Sequence, residues 1–67
     1  MKILLNDENY EIAENSSITM LFQKLGKEDL RGWAVAVNGN IISKYDFDRI
    51  FLCEEDRVIL IQATQGG

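Results

Sequence analysis

One stretch of helical periodicity interrupts a chain whose other apolar residues are spaced as in β-strands. Four apolar residues stand at positions i, i+3, i+4 and i+7 of this stretch: Ile18, Leu21, Phe22 and Leu25. Ser16 or Ser17 can cap the first turn by accepting a backbone N–H, and Gly26 suits the left-handed residue that often follows a helix. The sequence therefore predicts one main helix whose apolar stripe packs into the core.

Two short apolar-rich runs precede the helix, at residues 2–6 and 10–13. The turn formers Asn6 to Asn9 separate these runs, a pattern typical of a β-hairpin. We therefore expect two strands joined by a turn over these four residues.

A second hairpin is predicted after the helix and a polar connection. Bulky residues alternate with alanines over 33–37, which indicates a strand with one large face and one small face. Asn38-Gly39-Asn40 supplies residues that accept positive φ, as a tight turn needs, and Ile41-Ile42 begins a short fourth strand.

The remaining third of the chain contains an irregular segment and a last strand. Residues 45–52 mix aromatic and charged residues without a clean period, so we expect a turn or a single helical loop that carries core anchors. Glu54-Glu55-Asp56 makes the next turn, and residues 58–61 form a strand that is apolar on both faces. Such a strand belongs near the centre of a sheet.

The order strand, strand, helix, strand, strand, strand predicts an α+β fold of the β-grasp type, a mixed sheet with one main helix packed on one face. The first and last strands would lie side by side and parallel near the sheet centre. We expect the folded domain to span residues 1–62 and a C-terminal tail to span residues 63–67.

Size and composition argue against an independent enzyme. A domain of 67 residues buries only about 60% of the surface its unfolded chain exposes, which leaves little room for a substrate pocket. The chain has no histidine, so the commonest general base and metal ligand are missing, and we expect neither a catalytic nor a metal site. The lone Cys53 has two acidic neighbours that disfavour a thiolate, so we expect it to be structural.

Net charge and hydropathy argue against two classes of partner, and the cysteine content indicates the cellular compartment. The net charge of −4 would repel phosphate backbones, and no apolar stretch approaches membrane-spanning length, so we expect neither nucleic-acid nor membrane binding. A small domain without a disulfide framework indicates a reducing compartment, and the cytoplasm is the simplest one.

The final two residues are the part of the sequence that most suggests chemistry. Gly66 and Gly67 have no side chains, so with Gln65 they form a tail able to thread a narrow channel into a partner's active site. An α-carboxylate on Gly67 is ionised at neutral pH, because its pKa is about 3.3 to 3.7. It could attack the α-phosphate of ATP, and the mixed anhydride could then pass to an amine or accept sulfur.

With these features the sequence resembles the ThiS family of ubiquitin-like sulfur carriers in thiamine biosynthesis, over nearly its whole length. The resemblance is carried by several segments: Met1-Lys2-Ile3-Leu4-Leu5-Asn6, the helix 19–25, Val35-Ala36-Val37-Asn38-Gly39 with Ile41-Ile42, Asp56-Arg57-Val58, and Gly66-Gly67. Two loop positions depart from the family pattern. Ser43-Lys44 replaces a common proline, and Glu55 replaces a glycine in the acidic turn.

The resemblance implies a carrier protein that acts as the co-substrate of other enzymes. An ATP-dependent activating enzyme, related to ubiquitin-activating enzymes, would adenylate the Gly67 carboxylate, which would then become a thiocarboxylate. Sulfur would come from cysteine through a desulfurase, and thiazole synthase would receive it. ATP would belong to the activating enzyme, and we expect no cofactor bound by this chain.

A partner must also recognise the folded domain. If Val58 and Leu60 face the helix, alternation places Ile59 and Ile61 on the opposite face of the sheet. Further residues predicted on that face are Leu4, Ala34 and Ala36. An apolar patch beside the base of the tail would be a docking site, because exposed apolar patches often mark interfaces.

Four alternative functions remain open at this point. Two are within the carrier class: the small subunit of molybdopterin synthase, and a sulfur carrier for tRNA thiolation or cysteine synthesis. The others are a β-grasp module that only binds a partner and a ubiquitin-like modifier that is joined to lysines. The short chain favours the thiamine branch.

Overall fold

The computed structural model describes residues 1–62, which form five strands, one α-helix and one short 3₁₀ turn. The elements in chain order are β1 (Lys2–Leu5), β2 (Glu8–Glu11), α1 (Ile18–Lys24), β3 (Trp33–Val37), β4 (Asn40–Ile42), the 3₁₀ turn (Lys44–Asp46) and β5 (Arg57–Gln62). No helix among these residues is long and apolar enough to cross a membrane.

The strands form one mixed sheet in the order β2-β1-β5-β3-β4. β1 and β5 run parallel, with Leu4 aligned with Arg57 and Leu5 with Val58, and the other three strand pairs are antiparallel. The predicted α+β fold is therefore confirmed, including the parallel pairing of the first and last strands.

The first hairpin has a shorter turn than the sequence predicted. Asn6 and Asp7 alone form it, with φ values of 50° and 68°, and β2 already begins at Glu8. Two residues with positive φ suit the right-handed twist of the paired strands, and Asn and Asp tolerate that conformation better than other residues with side chains. Glu8 and Asn9 therefore pair with β1 as part of β2, although the sequence predicted that they belong to the turn.

The helix begins at the predicted capping position. Ser17 is the N-cap, and its Oγ accepts the backbone N–H of Met20 at 3.1 Å. In return, the Met20 Sδ accepts the Ser17 N–H at 3.5 Å. At the other end Leu25 is the C-cap, and Gly26 adopts φ 77°. A side chain would be strained at Gly26, so glycine ends the helix there.

The second hairpin turns through Asn38 and Gly39, with φ values of 51° and 87°. Asn40 is the first residue of β4 and is paired with Val37, so the prediction that it belongs to the turn is wrong. The two hairpins within residues 1–62 thus each use a two-residue connection that begins with asparagine.

The core lies between the helix and the sheet. Its fully buried members with the largest side chains are Phe22, Ile3, Ile18, Leu21, Val35 and Val58. The irregular segment carries core anchors as expected, and the structure identifies them as Phe47 and Leu52. Phe22 stacks on Phe47 with ring centroids 5.7 Å apart and meets the edge of Trp33 at 5.8 Å. The aromatic contacts fix the loop and the start of β3 against the helix.

Candidate docking face and the base of the tail

The predicted tail residues Gln65, Gly66 and Gly67 lie outside the described residues. β5 carries the chain as far as Gln62, which pairs with Trp33 at the start of β3. The base of the tail is therefore a strand hydrogen-bonded within the sheet.

Asn6 holds the C-terminal half of β5. Its backbone N–H donates to the Val58 carbonyl at 2.9 Å, and its side-chain Oδ1 accepts the Leu60 N–H, also at 2.9 Å. The second bond extends the β1–β5 pairing beyond the end of β1, which lies at Leu5. Asn6 therefore supports the strand that leads to the tail.

Asn38 holds the start of the same strand. Its Oδ1 accepts the Arg57 N–H at 2.9 Å, and its Nδ2 donates to the Asp56 carboxylate at 2.9 Å. Asp56 also accepts the Cys53 N–H at 2.7 Å. The two hairpin asparagines thus anchor β5 at two points along its length.

Glu55 adopts a backbone conformation in the turn before β5 that favours glycine. Its φ is 70°, a left-handed conformation that costs a residue with a side chain about 1–2 kcal/mol. The Glu55 N–H donates to the Lys2 carbonyl at 2.8 Å, and its carboxylate lies 3.1 Å from the Lys2 Nζ. These contacts with β1 offset part of the strain.

The structure places all the predicted docking residues on the sheet face opposite the helix, which we call the open face. Ala36 pairs with Ile59 and Ala34 with Ile61, while Leu4 is aligned with Arg57 on the neighbouring strands. Leu4, Ala36 and Ile59 are half-buried and Ala34 is exposed, while Ile61 is 58% exposed. The apolar side chains are adjacent across β1, β5 and β3.

The sequence prediction missed Ile41, which belongs to the same face. Ile41 pairs with Ala36 in the hairpin register and is 77% exposed. The Asn38-Gly39 turn contained the signal, because a two-residue turn places Ile41 opposite Ala36. Ile41 extends the apolar patch to the edge of the sheet.

Polar residues occupy the part of the open face formed by β2, most of β1 and the start of β5. Arg57 lies 3.0 Å from the Asp7 carboxylate, and both side chains are more than half exposed. Glu11 pairs with Lys2 and Asn9 pairs with Leu4 on the strands β2 and β1. The apolar part of the face therefore comprises Leu4 and the open-face residues of β3, β4 and the part of β5 after Arg57.

Cys53 does not contribute its side chain to the core. The residue is exposed in the turn before β5, and its thiol is not in a disulfide. Its backbone N–H donates to the Asp56 carboxylate. Any residue except proline could supply this N–H, so the structural role expected for the Cys53 side chain stays a prediction.

A mixed sheet with parallel first and last strands and a single helix on one face defines a β-grasp domain. The structure of a thiamine biosynthesis protein (ThiS) from Geobacter metallireducens is similar, with a TM-score of 0.86 and 23% identity over 100% of each chain. That likeness establishes the shared fold. No curated protein matches the chain in sequence.

The model of the ThiS family matches residues 3–67. The chain therefore belongs to the ThiS family, and the resemblance noted in the sequence is confirmed.

Proposed function

We propose that this protein is a sulfur carrier of thiamine biosynthesis whose Gly67 carboxylate is the reacting group. The observation that carries the proposal is the family match, which includes the Gly66-Gly67 pair as well as the folded domain. The similar protein from Geobacter metallireducens is described as a thiamine biosynthesis protein.

The proposed chemistry takes place on the tail, in the active site of an activating enzyme. A carboxylate oxygen of Gly67 attacks the α-phosphorus of ATP, pyrophosphate leaves, and an acyl-adenylate forms. Hydrosulfide then attacks the acyl carbon and displaces AMP, which leaves a thiocarboxylate; where sulfur arrives as a desulfurase persulfide, a thiol must reduce the S–S bond to release it, and that thiol is oxidised to a disulfide. Gln65 and Gly66 would lie in the channel of the enzyme, where glycine allows close approach of the backbone.

The folded domain serves as the part that partners recognise. Ile59 and Ile61 stand on β5, the strand that leads to the tail, with Ala36 beside them and Leu4 on the neighbouring strand. A partner that covers this patch would thereby hold the base of the tail in a fixed orientation. Buried apolar area supplies the affinity, at about 25 cal/mol per Å² before the cost of association.

The proposed partners are an ATP-dependent activating enzyme, a cysteine desulfurase that supplies sulfur, and thiazole synthase as the acceptor. The carrier itself would bind no cofactor, since ATP is held by the activating enzyme, and it would act in the cytoplasm as a co-substrate rather than as a catalyst.

Two assays test the activation and the pathway separately. The activating enzyme should catalyse exchange of labelled pyrophosphate into ATP only when the carrier is present, and a carrier that lacks Gly67 should give no exchange. The thiocarboxylated carrier should then support thiazole formation by thiazole synthase. The carrier would belong to a different pathway if it supports pyrophosphate exchange but not thiazole formation, and if it transfers sulfur to a molybdopterin precursor instead.

A further inference from the structure

The two docking residues of β5, Ile59 and Ile61, lie on either side of Leu60 in the chain. The Leu60 side chain faces the opposite way, into the core, and the residue is 8% exposed. Its backbone N–H points toward β1, where it donates to the Asn6 Oδ1 at 2.9 Å. This bond therefore lies between the two docking residues and two residues before β5 ends at Gln62.

The Asn6 side chain replaces a backbone acceptor on the β1 side of β5. The N–H groups of Leu4 and Asn6 donate in turn to carbonyls of β5, as in a regular parallel ladder. The ladder would continue with the Asn6 carbonyl accepting from Leu60, but Asn6 has a φ of 50° and has already entered the turn toward β2. Within residues 1–62, the bond from Leu60 to the Asn6 Oδ1 is the last on this side of β5.

The end of β5 is therefore a place where one hydrogen bond affects how completely the strand is formed. Its other side is paired with β3 as far as Gln62. The end of a strand opens at a lower cost in free energy than its centre, so the loss of a bond there lowers the fraction of molecules with the strand formed. A partner that binds only the formed strand then binds with a higher apparent dissociation constant.

We propose that Asn6 is a positioning residue for activation of the carrier. Its Oδ1 holds Leu60, so that Ile59 and Ile61 are arranged for docking before the activating enzyme arrives, together with the base of the tail. Asn6 acts through the backbone of β5 and does not itself need to touch the enzyme. The inference rests on the proposed function, because it concerns the enzyme that docks on the open face.

Asn38 provides a matched control on the same strand. Its φ of 51° is close to that of Asn6, and its Oδ1 accepts the Arg57 N–H at the same distance of 2.9 Å. Arg57 begins β5 and precedes the docking residues. Glycine at either position keeps the positive φ and removes the acceptor, and Asn38→Gly also loses the bond to Asp56. Asn38→Gly should therefore cost at least as much stability as Asn6→Gly while leaving the end of β5 in place.

The KM for the carrier in pyrophosphate exchange tests the proposal, at a temperature where circular dichroism shows that every variant is folded. We expect Asn6→Gly to raise KM about fivefold, the factor that one net hydrogen bond represents, and to keep kcat within about twofold because docking restores the strand. Asn38→Gly should keep KM within about twofold of the wild type. Asn6→Asp retains an acceptor oxygen and should recover the wild-type KM. Equal KM values for the two glycine variants, or no recovery with Asn6→Asp, would overturn the proposal.

Backbone order parameters of the free wild-type protein give a second measurement, which needs no variant. The amides of Leu60 and Ile61 should be as rigid as that of Val58, with order parameters of about 0.85. A value at Leu60 clearly below that of Val58 would show that the strand is not formed before docking, which overturns the positioning role and leaves the carrier function standing. Absence of carrier-dependent pyrophosphate exchange with wild-type protein would instead remove the proposed function, and this inference with it.

Discussion

The side-chain Oδ1 of Asn6 accepts a hydrogen bond from the backbone N–H of Leu60 at 2.9 Å, across 54 positions of sequence. Asn6 has a φ of 50° and forms the turn that follows β1, so its side chain reaches β5 beyond the last residue of β1. One residue therefore makes the first hairpin and also secures the strand that leads to the tail.

Replacing Asn6 should destabilise the fold and loosen β5. Asn6→Gly keeps the positive φ but removes the acceptor for Leu60, and we expect a loss of about 1 kcal/mol in the free energy of unfolding. Asn6→Ala should lose roughly 1–2 kcal/mol more, because alanine is strained in the left-handed region. Urea denaturation gives both values.

Asn6→Asp is the control, since it retains a side-chain oxygen for the Leu60 N–H. Its Leu60 amide should exchange with solvent more slowly than the Leu60 amide of Asn6→Gly. If the two variants show the same exchange rate, the Asn6 side chain does not hold β5.

Glycine substitutions at two neighbouring positions are expected to change the stability of the protein in opposite directions. Glu55→Gly relieves the strain of φ 70° and loses only an exposed ion pair with Lys2, so it should stabilise the protein by about 0.5–1 kcal/mol. Glu54→Gly removes the carboxylate that accepts the Lys2 N–H at 3.0 Å, without relieving a positive φ, and should destabilise it. Thermal unfolding of the pair checks the prediction, and destabilisation by Glu55→Gly would refute the strained turn.

The loop between α1 and β3 should contain a carboxylate with an unusually low pKa. Two hydrogen bonds from the Arg31 side chain, at 2.8 and 3.0 Å, and one from its backbone N–H lower the pKa of Asp29 from 3.8 to about 2. Because the folded-state pKa is depressed, the pair stabilises the protein above about pH 3.8, and this contribution is lost as the pH falls toward 2.

Titration of the Asp29 carboxyl carbon by NMR measures this pKa directly. Arg31→Gln should return it toward 3.8, since the side-chain bonds from Arg31 are its largest cause. Arg49→Gln makes the same change of charge in another loop and should leave the pKa of Asp29 at about 2. A low pKa that survives Arg31→Gln would show that Arg31 is not the cause.

A charge placed on the apolar patch should weaken activation without unfolding the domain. Ile61 is 58% exposed, so Ile61→Lys should cost little stability and should lower kcat/KM for adenylation at least tenfold by placing a charge in the apolar contact. Gln23→Lys adds the same charge on the exposed side of the helix and should react as the wild type does. Equal rates for the two variants would exclude the open face as the docking site.

Local patterns in the sequence were sufficient to predict most of the fold. The spacing of Ile18, Leu21, Phe22 and Leu25 predicted the helix. The alternation around Val35 predicted one strand, and the continuous apolar run 58–61 predicted another. The length of the first turn was not predicted, because Glu8 and Asn9 have turn-forming character that strand pairing with β1 overrides.

Contacts between distant residues could not be predicted from the sequence in the same way. The alternation rule placed Ile59 and Ile61 on the open face, but the bonds of Asn6 and Asn38 to β5 depend on which strands become neighbours. The exposure of Ile41 depends on β4 being an edge strand, which its own three residues do not encode.

Intact mass spectrometry of the carrier, after incubation with the activating enzyme, ATP and sulfide, shows whether Gly67 is the reacting group. Wild-type protein should gain the mass that corresponds to replacement of one oxygen by sulfur, and protein lacking Gly67 should not. An unchanged mass, with an enzyme that is active on another carrier, would refute the role of Gly67 as the sulfur-carrying residue, and a series of lysine conjugates would identify a protein modifier instead.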